Sequence, residues 1–429
     1  MRSQALLDRL EHFGVKLGLE RIRRLLIELD SPQLATPTVL VAGTNGKGST
    51  AALLASIARA TGARVGGFAS PHLESPLERI VLDGRAIDDD DLFARFEEIL
   101  DVAQRSGAEA PTYFEAFTLA AFGAYRAANL DLAVMEVGLG GRLDATNASE
   151  PVLGLVTSIG FDHQKQLGST LGAIAGEKAA ICRAGRPLLG WGDEPEVAAA
   201  FERTTRAAGA ALERLEQTVR LEPLEVSPRR QRLRLHTPVD RYDLVLDHLP
   251  GSHQQRNAAL AVRAAEHLDA AGVLSIDRQA VIEGVAACRW PGRLEWVDLP
   301  DGRRVLLDVA HNADGAAAVA AFLGDLPEPP NLLFGAVGDK AIGTMLPTLA
   351  AVTDDIVLTR PRSSRATDPR AWLTLIDRPA DVLDDADAAL ERALDRLAAD
   401  RTLAICGSIY LVGALRRSLR QRFGVPSAP

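Results

Sequence analysis

Cysteine is scarce: Cys182, Cys288 and Cys406 are the only three in 429 residues, far apart, odd in number and without a CxxC pair. That argues against a disulfide framework or a cysteine zinc site and favours a reducing, cytoplasmic setting. No stretch reaches the roughly 18 uninterrupted apolar residues of a membrane span, and MRSQALLDRLEHFG lacks the apolar core and small-residue cleavage site of an export signal. Positive charge is not in excess: 48 Lys plus Arg stand against 57 Asp plus Glu, a net −9. No nucleic-acid partner and no membrane partner are expected, and any polyanion must be held locally. Aromatic residues make up only 5%, which makes any aromatic facing a cleft more informative.

What is present is an ordinary globular balance, 47% hydrophobic and 24% charged, and a length that predicts two or three domains. Apolar positions at helical spacing (Leu6, Leu7, Leu10, then Ile22, Leu25, Leu26) precede a break at SPQLATP and a strand at TVLVAG. A helix over 51–60, a strand at ARVGGFAS, helices near 89–106 and 114–127, and strands at 131–137 and 152–160 follow. Such alternation predicts a mostly parallel sheet covered by helices on both faces. Between about 211 and 250 the runs LRLHTPV and YDLVLDHL read as a hairpin at the sheet edge. RWPGR (289–293) then precedes a second alternation: RRVLLDVAHN, a helix near 313–323, NLLFGAV, a helix, DDIVLTR, a helix near 384–399, and RTLAICGS. Domains are expected over 1–290 and 295–429, with the linker near Trp290. No internal repeat is found, and DDADAALERALDRLAAD reads as a solvated helix face rather than a binding tail.

The strand TVLVAG runs into GTNGKGST (43–50) and then a helix, the context in which glycine-rich backbone amides, a helix N-terminus and a lysine surround phosphate oxygens. The spacing departs from GxxxxGK[ST], because Val41 stands where the first Gly would be and Gly48 follows Lys47. Thr44, Asn45, Gly46, Lys47, Gly48, Ser49 and Thr50 are the candidate phosphate contacts, with Lys47 on the β- and γ-phosphates and Ser49 or Thr50 on Mg²⁺.

This loop resembles the nucleotide loop shared by the Mur ligases and the folylpolyglutamate/dihydrofolate synthases. Further segments resemble the synthases specifically, in order and from end to end: ASPHLESPLERI (69–80), TYFEAFTLAAF (112–122), MEVGLGGRLDATN (135–147), GFDHQKQLGSTLGAIAGEKAAI (160–181), GSHQQRN (251–257), RWPGRLE (289–295), LLDVAHNADG (306–315) and CGSIYLVG (406–413). Only 42 residues precede Gly43, fewer than the ~50 of a small independent domain, so the additional N-terminal domain of the Mur ligases proper is not expected. The resemblance implies an α/β fold: an N-terminal P-loop ATPase-like domain with a mostly parallel sheet, and a smaller C-terminal Rossmann-like domain.

The implied reaction is ATP-driven amide ligation, in which a carboxylate takes the γ-phosphoryl group and the amino group of L-glutamate displaces phosphate from the acyl phosphate. Both steps build negative charge on oxygens and need cations and oriented donors. Glu136 ends the strand LAVMEV at the carboxyl edge of a parallel sheet, where ligands of open α/β folds bind, and by position is a Mg²⁺ ligand. His163 in FDH reaches a second Mg²⁺, and the resemblance places Ser70 there too. It also implies that Lys178 in GEKAAI is carbamylated, that His253 and Asn257 contact adenine or ribose, and that Arg293 and Asp308 contact ATP, Arg293 through phosphate. His311 and Asn312 follow the strand VLLDVA and face the acyl phosphate or the incoming glutamate. Lys47, Lys178, Asp308 and His311 form the expected catalytic set, and Ser49, Ser70, Glu136 and His163 the metal set. Phe114, Glu115, Leu143, Asp144 and Ala145 match the pterin-benzoate pocket.

Ala180, Arg183, Ala313 and Ala341 depart from the family pattern, the last removing a polar group expected near glutamate. The cofactors implied are ATP and Mg²⁺, as two ions, with a monovalent cation as an option. The small-molecule partners are dihydropteroate or folate, and L-glutamate, with a monomer as the expected state. LGLERI (17–22) resembles the dihydropteroate-associated loop of bifunctional enzymes, so both synthase activities are expected. The alternatives are polyglutamylation alone, or a same-fold ligase acting on another carboxylate.

Overall fold

The computed structural model describes residues 2, 6–7, 18–338 and 340–424. Of the first expected helix only Leu6 and Leu7 are described, both helical; Leu10, and Leu17 of LGLERI, lie outside the described residues. The helix Glu20–Glu28 buries Ile22, Leu25 and Leu26, the face that their spacing predicts.

The N-terminal part is built on eight strands: β1 (Thr38–Ala42), β2 (Val65–Phe68), β3 (Ile80–Leu82), β4 (Arg85–Ala86), β5 (Leu132–Glu136), β6 (Leu153–Val156), β7 (Pro187–Gly190) and β8 (Ala211–Arg214). They lie in the order β4-β3-β2-β5-β1-β6-β7-β8, and only β3 and β4 break the parallel run. β1 is buried throughout because both faces are covered. Leu40 and Ala42 pack with Phe117 and Met135 on one side, and Val39 and Val41 with Leu53, Leu54 and Ile57 of the helix Lys47–Ala60 on the other.

The expected edge hairpin is a different object. β9 (Arg220–Val226), β10 (Gln231–His236) and β11 (Arg241–Leu246) form a separate three-stranded antiparallel sheet, while β8 supplies the edge of the main one. Alternation explains this: Leu233, Leu235, Leu244 and Leu246 join the core under the helices Ser252–Ala270 and Arg278–Ala287, leaving Arg232 and Asp243 outward.

The C-terminal sheet comprises β12 (Glu295–Asp298), β13 (Arg304–Leu307), β14 (Asn331–Phe334), β15 (Ile356–Thr359), β16 (Asp381–Leu383) and β17 (Thr402–Cys406). Its order is β12-β13-β17-β14-β15-β16, parallel except for β12. The two unforeseen strands are its edges, β12 and β16, which lack the continuous apolar run of buried parallel strands. Among the described residues no helix is long and apolar enough to cross a membrane, and all three cysteines are buried and free.

Candidate active site

The carboxyl ends of β1, β5 and β6 and the loop that follows β13 of the C-terminal sheet enclose a cleft of about 450 Å³. The phosphate loop forms its floor. Gly46 caps the helix Lys47–Ala60 at φ +86°, a conformation that glycine adopts freely, and a Cβ there would lie 2.4 Å from Asn257 Oδ1. The loop is pinned to the end of β6: the Thr44 hydroxyl donates to Gly160 O at 3.1 Å and accepts from its N–H at 3.0 Å, and Thr157 Oγ1 donates to Asn45 O at 2.7 Å. Its backbone amides are therefore fixed before any anion arrives.

A Gly46→Ala variant is expected to lose about tenfold or more in ADP affinity, since a left-handed non-glycine residue costs roughly 1–2 kcal/mol and the new methyl displaces Asn257. Calorimetric titration with ADP checks this, and wild-type affinity would contradict it.

Lys47 opens the helix with Nζ donating to Thr44 O at 3.2 Å and lying 3.8 Å from Glu136 Oε1. Ser49 Oγ lines the cleft and accepts from Gln254 Nε2 at 3.3 Å. Thr50 is a correction: it is fully buried and does not line the cleft, because one more residue turns the side chain about 100° around the helix.

Glu136 ends β5 as its position predicts. Burial pushes its carboxyl above the usual range, opposed by Lys47 and by the Ser70 N–H, which donates to Oε2 at 3.2 Å. Ser70 faces the same space from the loop after β2. Lys178, on the helix Leu171–Ala179, is buried and donates from Nζ to Gly43 O at 2.7 Å; burial, then Lys47, lowers its ammonium to about 7. His163 sits at the cleft edge in a left-handed turn, φ +51°, kept toward neutral by burial despite Asp162.

The opposite wall comes from the C-terminal domain. Buried Asp308 accepts from the N–H groups of Leu294 at 2.9 Å and Ala310 at 2.8 Å, and burial raises its carboxyl against the pull of Arg293. His311 pairs Nδ1 with Val309 O at 3.0 Å, which assigns the proton to Nδ1 and leaves Nε2 as an acceptor; burial, then Lys340, lowers its imidazolium to about 4. The Asn312 and Asn45 side-chain amides exchange hydrogen bonds of 3.0 and 3.3 Å across the two domains.

Asp162 is the group that sequence reasoning missed. Its carboxylate lies 3.3 Å from Lys340 Nζ, 3.4 Å from Asn312 Nδ2 and 3.8 Å from His311 Nε2, three C-terminal residues meeting one N-terminal acid. Burial alone would raise it, but Lys340 and the two histidines outweigh that and hold it below the usual range. Only its place inside GFDH hinted at this.

His253 and Asn257 also line the cleft. His253 is held neutral by burial and Arg293, near 4, while Asn257 Nδ2 donates to Gln254 Oε1 at 2.8 Å. Beside them Arg256 stacks on Trp191, 3.9 Å from the ring centroid, another pair not foreseen.

The residues expected at the pterin pocket are arranged otherwise. Phe114 lies against Gly138 of the cleft wall and 5.7 Å from the Phe68 ring. Glu115 is instead a buried capping carboxylate, accepting from Thr112 N and Oγ1, each at 2.8 Å, and from Arg21 Nε at 2.8 Å. Thr112 and Glu115 have the capping-box spacing, which the sequence already contained. Asp144 is occupied in shaping its own loop through Leu139 N at 2.8 Å and Thr146 Oγ1 at 2.6 Å. Ala145 is buried, and neither it nor Leu143 lines the cleft.

Among the described residues no three His, Cys, Asp or Glu side chains gather as a metal set. The donors at hand, two serine hydroxyls, one buried carboxylate and one neutral imidazole, fit a hard divalent ion whose shell is completed by phosphate and water.

Comparison with known proteins agrees with this geometry. The Mur ligase middle domain matches residues 41–265, and the Mur ligase, glutamate ligase domain matches 292–409. The chain is 31% identical over 417 residues to the dihydrofolate synthase/folylpolyglutamate synthase of Bacillus subtilis, covering 95% of this chain and 96% of the relative. It resembles the solved Escherichia coli FolC in complex with DHPP and ADP, with a TM-score of 0.88, 31% identity and 98% of each chain covered. It also resembles a bifunctional folylpolyglutamate synthase/dihydrofolate synthase with Mn, AMPPNP and L-glutamate bound, with a TM-score of 0.87, 28% identity and 97% and 98% covered. Placed by two domain matches in order and full-length relatives on both comparisons, the chain belongs to the Mur ligase family, in its dihydrofolate synthase/folylpolyglutamate synthase branch.

Proposed function

We propose that the protein joins the amino group of L-glutamate to the carboxylate of dihydropteroate and of reduced folates, driven by ATP. The observation that supports this most is the two-walled cleft, with the phosphate loop and Glu136 on one side and Asp308, His311 and Lys340 on the other.

A substrate carboxylate oxygen attacks the γ-phosphorus, the bond from that phosphorus to the β–γ bridging oxygen breaks, and ADP leaves. Lys47 and the amides of 44–49 hold the phosphates in line. Glutamate nitrogen, as the free amine, then attacks the acyl carbon, the bond from that carbon to the phosphate oxygen breaks, and the proton the nitrogen sheds leaves with inorganic phosphate. The free Nε2 of His311 accepts a hydrogen bond from the attacking amine and orients its lone pair. Ser49, Ser70, Glu136 and His163 would hold Mg²⁺, which when bound supplies Lewis-acid neutralisation of phosphate charge. The three buried thiols support a cytoplasmic setting.

Lys178 joins this reading through its charge. Near pH 7 a large share of its amine is neutral and nucleophilic toward CO₂, and a carbamate beside Lys47 replaces a cation–cation contact by an attractive one. Without bicarbonate, the pKa of about 7 in the folded state lies below the 10.5 of the free side chain. The unfolded chain therefore binds more protons between those values, and stability rises with pH across that window, by at most ~1.4 kcal/mol per pH unit. Lys178→Met is expected to remove this rise, read by urea titrations at several pH values; an unchanged slope would assign the effect elsewhere.

The bifunctional reading draws support from the LGLERI segment, whose Arg21 is tied to Glu115, the residue after Phe114. ADP release with dihydropteroate and with tetrahydrofolate, each with product mass, tests it. Glutamate added to both is the expected result. Turnover of tetrahydrofolate alone would restrict the enzyme to polyglutamylation, and turnover of neither would point to another carboxylate.

A further inference from the structure

The loop that carries Ser70 has a second end, and that end is buried in the other domain. Between β2 and β3 the loop is stiffened by Glu78, whose carboxylate accepts from the consecutive N–H groups of Leu73, Glu74 and Ser75 at 2.8, 3.0 and 2.7 Å. Arg79 adds contacts to His72 at 3.1 Å and to Ser70 Oγ at 3.4 Å. Residues 70–75 are thus one unit, and a push at Glu74 is transmitted to Ser70.

The far end of that unit docks on the helix Ile409–Phe423. Leu73 packs into the C-terminal core, and its carbonyl oxygen lies where a Cβ on Gly413 would come within 1.8 Å. The Glu74 side chain, 6% exposed, pairs with Arg416, 2% exposed, and with Arg420 at 2.7 Å, while Arg417 donates to the Glu74 carbonyl. Arg416 also grips Glu295 at 2.9 Å, and Glu295 in turn accepts from the Gly292 N–H at 2.8 Å, next to Arg293. One buried guanidinium therefore joins the Ser70 loop to the linker arginine. The helix that carries it starts at Ser408, on the cleft wall.

We propose that Gly413 and Arg416 are positioning residues forming an interdomain latch: seating Leu73–Glu74 on the C-terminal helix sets Ser70 in place, so the divalent site is complete only when the domains are docked. This rests on the reading of Ser70 as a divalent-ion ligand. Neither latch residue touches substrate. Their effect passes through groups that hold those which do, and losing such support commonly costs 10–100-fold in metal affinity or activity.

Gly413→Ala separates this from a plain structural role, because alanine favours a helix over glycine while its methyl lifts Leu73 off the helix. Calorimetric titration with ADP, with and without Mg²⁺, gives a readout independent of turnover. For Gly413→Ala and for Glu74→Gln, which removes charge without adding volume, the expected result is unchanged ADP affinity without Mg²⁺ and a roughly tenfold smaller Mg²⁺-dependent gain. Ser70→Ala is the reference and should lose the same gain. If Ser70→Ala loses it while Gly413→Ala and Glu74→Gln keep it, the latch is overturned and the site reading stands. If all three keep it, the site reading falls, and the latch with it. Should Gly413→Ala fail to fold, Glu74→Gln decides.

Discussion

Replacing Lys47 with Met is expected to reduce ADP release by about 10³-fold, the scale on which losing a preorganised charge partner at a developing oxyanion is felt. Lys47 is the first residue of its helix, so its ammonium and the helix N-terminus act on the same phosphate oxygens. The loss spreads through the site. Glu136 loses the cation 3.8 Å away that opposes its burial, so its carboxyl rises further. Lys178 loses the second cause of its lowered pKa, so more of its amine is protonated. Steady-state ADP release, with a melting curve to establish folding, checks this; activity near wild type would remove Lys47 from the phosphate site.

Glu136→Ala is expected to abolish glutamate-dependent ADP release, a drop of order 10³-fold or more, while the fold survives. The carboxylate stands at the end of a strand paired on both sides, by β1 and β2, and its backbone bonds do not depend on the side chain. Burial already works against its charge, and the Lys47 left behind is partly exposed and keeps its bond to Thr44 O, so no unpaired buried charge remains to unfold the chain. ADP release in the presence of Mg²⁺ and a urea titration separate the two quantities. Residual activity near wild type would take Glu136 out of the site, and an unfolded variant would assign it to the core.

What the sequence disclosed follows from how local each signal is. TVLVAG running into GTNGKGST carries strand, turn and helix start within a dozen residues, and Lys47, Ser49 and Glu136 fall at the sheet edge as that context demands. The edge strands β12 and β16 escaped because one ladder side of each is unpaired, and such strands need no continuous apolar run. Glu115 was read as a pocket acid from the resemblance; the capping box with Thr112 three residues earlier was legible in the local spacing as well. Asp162, Lys340, Glu74 and Arg416 were invisible for another reason: each acts on a partner at least 121 residues away in sequence, and no periodicity records such a meeting.

Those distant pairs give the site its logic. Asp162 on the cleft wall and Glu74 at the far end of the Ser70 loop are N-terminal acids gripped by C-terminal cations. Two substrates held between two such walls need only short approaches to react.

The most direct test of the account follows the oxygen. Dihydropteroate labelled with ¹⁸O in its carboxylate, turned over with ATP, Mg²⁺ and L-glutamate, is predicted to yield phosphate carrying one ¹⁸O and a product heavier by one glutamate residue. Phosphate free of label alongside glutamylated product would contradict the acyl phosphate route.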